Sequence, residues 1–372
     1  MLKKALYMSG GGARGAYQAG VLKGIEEILQ VKQFPFEILS SVSAGAINAA
    51  FLAMHADQFS TAVNKLAGLW SALSCDQVFH VGNLALIRSV LRNMATMAVH
   101  YQTEKGAYLF DTSPLKQLLS KNLDFKMINQ HVKNGLLDLE VTATCYDSSE
   151  TISFINASRK VKCWQAPRVS ACMHDIQCQH IMASSAFPLF FPAINIDGLH
   201  FGDGGLRLSM PLKAAIKLGA RKILVIGTRA HPSRSKSGIN APNIGNISFA
   251  HLFGNVLNAL FLDNLDRDIE VVGKINDSLA LLSKRQLQRS KWQPIEVLCI
   301  RPSVDIAQLA VNMPKMLPSL LQYLLGSFGS KKQSGDFLSF LLFESAFCQK
   351  LIELGYQDAL QQKTAVLKFF DK

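Results

Sequence analysis

Residues 38–50, ILSSVSAGAINAA, constrain this chain more than any other stretch. An apolar, β-favouring entry (Phe36, Ile38, Leu39) leads in, and an Ala-rich, helix-favouring run at 46–54 leads out. Between them stands Ser43 among small residues. That layout is a nucleophile elbow, a sharp strand-to-helix turn that lifts a serine hydroxyl above a sheet. Small neighbours are needed because strand and helix backbones nearly touch there. The usual spelling is G-x-S-x-G; here Gly45 is present and Ser41 replaces the first glycine. The expectation is that Ser43 is a nucleophile and that Ser41, placed at the tightest approach, strains the turn. On that basis Ser41→Gly preserves or raises turnover.

With 372 residues the chain can bury a large core, in one big domain or in a few smaller ones. Hydrophobic residues make up 49% and charged ones 18%, which fits a globular and somewhat apolar protein. No run approaches the roughly 20 apolar residues that span a bilayer. The apolar run after Lys4 is too short for a signal-peptide core. The seven cysteines (Cys75, Cys145, Cys163, Cys172, Cys178, Cys299, Cys348) are odd in number and scattered. They read as reduced thiols of a protein made in the cytoplasm, with peripheral membrane contact or signal-independent export left open. A net charge of +12 suits an anionic surface. Its densest basic run, 284–291, belongs to no nucleic-acid signature; the charge is either a solvated basic face or one that meets anionic membrane, the expected partner, and nucleic acid is not expected.

In chain order, 4–9 reads as a first strand, followed by Gly10, Gly11, Gly12, Ala13, Arg14 and Gly15 and a helix over 16–29. A strand, a glycine turn and a helix start make an anion cradle. A dinucleotide site would need an acidic residue closing the second strand, whereas Glu37 opens it. The alternative is an oxyanion hole, whose convergent amides aim at a carbonyl oxygen. Residues 58–73 are an amphipathic helix. Residues 81–101 are helical in period and Met-rich, either core or a flap that meets membrane. A helix begins near Asp111 and Pro114. Strands follow at 137–146 and 151–156. Cys163, Cys172, His174, Cys178 and His180 do not have common zinc spacings. A short helix from Ile181 is stopped by Pro188 and Pro192. Residues 194–198 and 199–202 form a hairpin turning at Asp197-Gly198, and Asp203-Gly204-Gly205 follows it directly. An aspartate on a glycine turn at a strand end suits a positioned carboxylate, although an ordinary turn has the same spelling. A helix at 210–218, an apolar strand at 222–227, a polar loop at 231–246, one long helix at 247–282 and a last strand at 294–300 complete the core. The rest is helical, with an apolar helix over 337–354 that Gly355 ends.

Gly10 to Gly15, Ser41-Val42-Ser43-Ala44-Gly45 and Asp203-Gly204-Gly205, in that order, resemble the three signatures of patatin-like phospholipases. The run from Ala183 to Pro188, with Phe191-Pro192, is similar to the family's approach to its catalytic aspartate. The resemblance covers residues 3–228. It implies a three-layer α/β/α sheet sandwich related to α/β hydrolases, with a catalytic domain at 1–303 and a helical C-terminal extension at 304–372. It also implies a lipid acyl hydrolase of phospholipase A type, acting on phospholipid or another glycerolipid through a Ser43–Asp203 dyad. Gly10, Gly11 and Gly12 would line the oxyanion hole, with Arg14, Gly15, Ser41, Gly45, Gly204 and Gly205 in support, and no cofactor or metal would serve the dyad. Arg14 would stabilise the glycine loop or meet a phosphate, unless it is an ordinary surface arginine. Two rivals stay open: a Ser–Asp–His esterase using His231 or His251, and a catalytically weak lipid-binding or effector scaffold.

Overall fold

A computed structural model describes residues 2–81, 108–230, 249–313 and 335–372. The 81–101 helix lies outside them apart from its first residue, and so do His231 and the loop that contains it.

The strands in chain order are β1 (Lys4–Met8), β2 (Ile38–Val42), β3 (His80–Val81), β4 (Phe110–Asp111), β5 (Asp138–Cys145), β6 (Glu150–Asn156), β7 (Gln165–Ala166), β8 (Val169–Met173), β9 (Ile194–Ile196), β10 (Leu199–Asp203), β11 (Lys222–Ile226) and β12 (Glu296–Ile300). Strands β3 and β4 pair apart from the rest. The main sheet runs β12-β11-β1-β2-β5-β6-β8-β7, and β10 pairs with β5 and β9. From β12 to β5 every neighbour is parallel. Such strands are covered on both faces, and β1 shows how: Leu6 and Met8 face one core while Ala5 and Tyr7 face the other. The first face carries α1 (Gly15–Leu29), α2 (Ala44–Met54) and α3 (Phe59–Ser71). The second carries the helices Lys213–Lys217 and Asp263–Ala280. The result is the three-layer α/β/α sandwich with helices at the C-terminal end of the chain.

Two elements differ from expectation. The helix expected over 247–282 is two, Phe249–Phe261 and Asp263–Ala280, broken where Leu262 takes φ −121°. The apolar stretch from Phe337 also divides, into Gly335–Leu341 and Ser345–Gln361, and Gly355 lies inside the second helix instead of ending it. Its glycine serves packing. A Cβ at Gly355 would lie 2.2 Å from the Tyr17 carbonyl oxygen, and one at Gly20 would lie 2.0 Å from that of Ile352. Here α1 and the helix Ser345–Gln361 meet backbone to backbone. Gly20→Ala is therefore expected to destabilise the fold by about 2–3 kcal/mol despite its better helix propensity. A denaturant midpoint unchanged from wild type would contradict this packing.

Candidate active site

Chain topology brings Ser43 and Asp203 together through β5. Strand β6 holds one edge of β5; on the other edge Val42, the last residue of β2, pairs with Thr142, and Asp203, the last of β10, pairs with the next residue, Ala143. Both strands therefore end against the same two residues. The Ser43 Oγ donates to Asp203 Oδ2 at 2.6 Å, and the Gly205 amide donates to Oδ1 at 2.8 Å. Ser43 has φ 56° and ψ −129°, a left-handed conformation for a residue with a Cβ. Strain of that kind persists only where the surroundings hold it. The holding groups are visible: the Ser43 amide donates to Ser184 Oγ at 2.9 Å, and Ser185 Oγ donates to the Ser43 carbonyl at 3.1 Å. Ser184 is itself anchored, donating to the Thr142 carbonyl at 2.6 Å.

The close approach in this turn is at Gly45, where a Cβ would lie 2.2 Å from the Met8 carbonyl oxygen. Ser41 is not strained as the sequence suggests. It lies within β2, fully buried, with its Oγ donating to the Glu140 carbonyl at 2.9 Å. Below it, the Glu140 carboxyl accepts from Ser40 Oγ (2.7 Å), Thr142 Oγ1 (2.6 Å) and the Ser41 amide (3.3 Å). Burial pushes the Glu140 pKa up while these donors hold it down. Ser41→Gly is now expected to cost about 1 kcal/mol, from one lost hydrogen bond and a glycine in a strand. Thermal melting of the variant tests this, and a gain in stability would restore the strained-turn reading.

The glycine loop leaves β1 directly beside Ser43. A Cβ at Gly10 would stand 3.6 Å from Ser43 Oγ. The Gly10 carbonyl accepts from Thr228 Oγ1 at 2.7 Å, and the Gly11 carbonyl from the Arg14 amide at 3.1 Å. Among the described residues, the amides of Gly10, Gly11 and Gly12 donate to no protein acceptor. Gly12 has φ 57°, and a Cβ there would lie 2.1 Å from the Phe340 carbonyl oxygen, so the helix Gly335–Leu341 lies against the loop. Arg14 makes the same contact from below. It is 2% exposed, donating from Nε (2.9 Å) and Nη2 (2.7 Å) to Ser339 Oγ and from Nη2 to Asp336 Oδ1 (3.1 Å), with its guanidinium over the Phe340 ring. Through Nε and Nη2 the Arg14 side chain clamps the loop to the helix Gly335–Leu341. Gly15 abuts Trp70 and Ala44, Gly204 abuts Thr142, and Gly205 abuts Phe261.

Above the pair is an open cleft of about 720 Å³, whose walls include Trp70, Phe187, Phe191, Phe261, Phe340 and Phe343 and whose floor is Ser43 and Asp203. Asp203 is fully buried. Burial raises its pKa to about 7, against the opposing pull of the Ser43 and Gly205 hydrogen bonds. Among the described residues no histidine bonds to Ser43 or Asp203. His251 falls in the helix Phe249–Phe261, but its side chain lies outside the described groups. The His174 and His180 rings lie 5.4 Å apart, tilted to one another, near Phe154. Among the described residues no cluster of three or more His, Cys, Asp or Glu could hold a metal.

Sequence reasoning missed Ser184, Ser185, Thr228, Asp336 and Ser339. Only the Ser184-Ser185 pair, small polar residues inside an apolar run, carried a signal.

These features define an α/β protein with a serine-bearing strand-to-helix turn facing a buried carboxyl. A family model for patatin-like phospholipase matches residues 6–216, more than half of the chain, and the chain belongs to that family. YjjU, an uncharacterized protein of Escherichia coli (strain K12), is 27% identical over 227 residues, covering 60% of this chain and 51% of that protein. This chain thus spans about half the length of the curated relative it matches. Among solved structures, VipD from Legionella pneumophila aligns over 98% of this chain and 67% of its own, at 14% identity and a TM-score of 0.36. ExoU in complex with SpcU, from the type III secretion system of Pseudomonas aeruginosa, aligns over 96% and 52%, at 13% identity and a TM-score of 0.29. Likeness at that level adds nothing to the sheet order read above.

Proposed function

We propose that the chain is a lipid acyl hydrolase that cleaves fatty-acyl esters of glycerolipids through Ser43 and Asp203. The observation that carries this reading is the 2.6 Å hydrogen bond from Ser43 Oγ to a fully buried Asp203 at the floor of an apolar cleft. With its pKa near 7, Asp203 is ionised above neutrality and basic enough to take the serine proton. Ser43 Oγ then attacks the ester carbonyl, the alcohol leaves with that proton, and water hydrolyses the acyl-enzyme. The amides of Gly10, Gly11 and Gly12 are the donors for the oxyanion, each worth on the order of 3 kcal/mol in the transition state. The apolar walls favour a long acyl chain over a small polar ester, since burying each methylene contributes about 0.8 kcal/mol. The +12 charge suits an anionic phospholipid surface. Among the described residues no helix is long and apolar enough to cross a membrane, so such contact would be peripheral.

The test is fatty-acid release from vesicles of anionic phospholipid. Wild type is expected to release it, and Ser43→Ala to lose at least about 1,000-fold. His231→Ala and His251→Ala are each expected to keep activity. Collapse of either would favour a Ser–Asp–His triad, and vesicle binding without release would favour the scaffold reading.

A further inference from the structure

At the outer edge of the sheet, strands β7 and β8 form a hairpin turning at Pro167-Arg168, and β7 is the terminal strand. Its register pairs Ala166 with Val169 and Gln165 with Ser170. The Ala171 amide donates to the Trp164 carbonyl at 3.0 Å, which carries the same register one pair further. Continued beyond β7, that register would next oppose Cys163 and Cys172. Opposed residues in an antiparallel ladder alternate between hydrogen-bonded and non-hydrogen-bonded pairs. Of the Trp164–Ala171 pair the bond from the Ala171 amide is made, and the ladder continued by one residue would set Cys163 and Cys172 at a non-hydrogen-bonded position. Such positions bring Cα atoms to about 4.5 Å with the side chains on one face. That spacing lies inside the range a disulfide spans, roughly 4.4–6.8 Å. The faces agree: Ala171 and Trp164 belong to one core, whereas Cys172 packs against the other. Both thiols are free, with Cys163 exposed and Cys172 partly buried.

We propose that Cys163 and Cys172 are a redox-active pair that closes to a reversible cross-strand disulfide in exchange with a small-molecule disulfide. The exposed Cys163, as thiolate, attacks one sulfur of that disulfide, forming a mixed disulfide and releasing one thiolate. Cys172 then loses its proton to solvent and attacks the Cys163 sulfur, releasing the second thiolate. Two protein thiols are oxidised by two electrons, and one disulfide is reduced to two thiols. Burial and the neighbouring Cys163 thiolate push the Cys172 thiol up to about 11, and the second of these causes lapses once the Cys163 sulfur is held in the mixed disulfide. The bond would staple an edge that is paired on one side only. The inference is independent of the hydrolase reading, because neither cysteine lines the cleft.

The test uses the full chain, reduced, incubated with oxidised glutathione, alkylated and digested with trypsin without reduction. Cleavage after Arg168 separates the two cysteines. Wild type is expected to lose the mass of two hydrogens, to show linked peptides whose fragmentation places the bond on Cys163 and Cys172, and to revert with reduced glutathione. Cys172→Ser is expected to keep glutathione on Cys163, and Cys163→Ser, at an exposed position, to show neither product. A lasting glutathione adduct on wild-type Cys163, both thiols free, or a bond from Cys163 to Cys178 would overturn the proposal.

Discussion

Asp203→Asn is expected to cut ester turnover by roughly 1,000-fold and, in the same protein, to raise thermal stability above neutral pH. The first effect removes the proposed proton acceptor. The second follows from the direction of the pKa shift. Asp203 titrates near its ordinary value of 3.8 in the unfolded chain and at about 7 in the fold, so the folded state binds the proton more tightly. Below pH 4 both states are protonated and this preference is fully present. It is lost as pH rises through about 7, where the folded state must ionise a buried carboxyl. The difference between 3.8 and about 7 corresponds to at most about 4 kcal/mol. An Asn amide avoids that ionisation, and its carbonyl can still accept from the Gly205 amide. The gain is expected to be about 1–3 kcal/mol at pH 8 and close to zero at pH 4, read as the difference between the two melting curves across pH. A variant that is inactive yet no more stable at pH 8 would mean that Asp203 is not held ionised against its surroundings.

The second large effect is expected at Gly45. Gly45→Ala places a Cβ 2.2 Å from the Met8 carbonyl, a contact that only a shift of α2 relative to β1 can relieve. Overpacking of this kind costs about 1–3 kcal/mol, and the shifted helix carries Ser43 at its N-terminus. Displacement of a reacting atom by about 1 Å can cost roughly 100-fold in rate. Loss of both stability and turnover is expected, measured by melting and by ester hydrolysis. Comparison with Ser41→Gly separates the two small residues of the motif: Gly45 answers to a backbone contact, and Ser41 to a hydrogen bond.

The local parts of this architecture were legible in the sequence because they are written in local chemistry. Short apolar or β-favouring runs gave β1, β2, β5 and β11; the glycine run gave the loop before α1; Asp197-Gly198 gave the β9–β10 hairpin. The contacts that assemble those parts were not legible. Nothing near Asp203 announces that β10 pairs with β5 at Ala143, which is what sets its carboxylate beside Ser43. Nothing near Arg14 names Ser339, 325 positions away. Gly355 misled for a physical reason, since a glycine that ends a helix and one that admits another helix's backbone are spelled alike.

Covalent trapping tests the central proposal most directly. A fluorophosphonate is expected to modify wild type once, at Ser43, with a rate that rises through pH of about 7 as Asp203 ionises and then levels. Asp203→Asn should react far more slowly at every pH, and Ser43→Ala not at all. No labelling of wild type, or labelling mapped to a residue other than Ser43, would contradict the account.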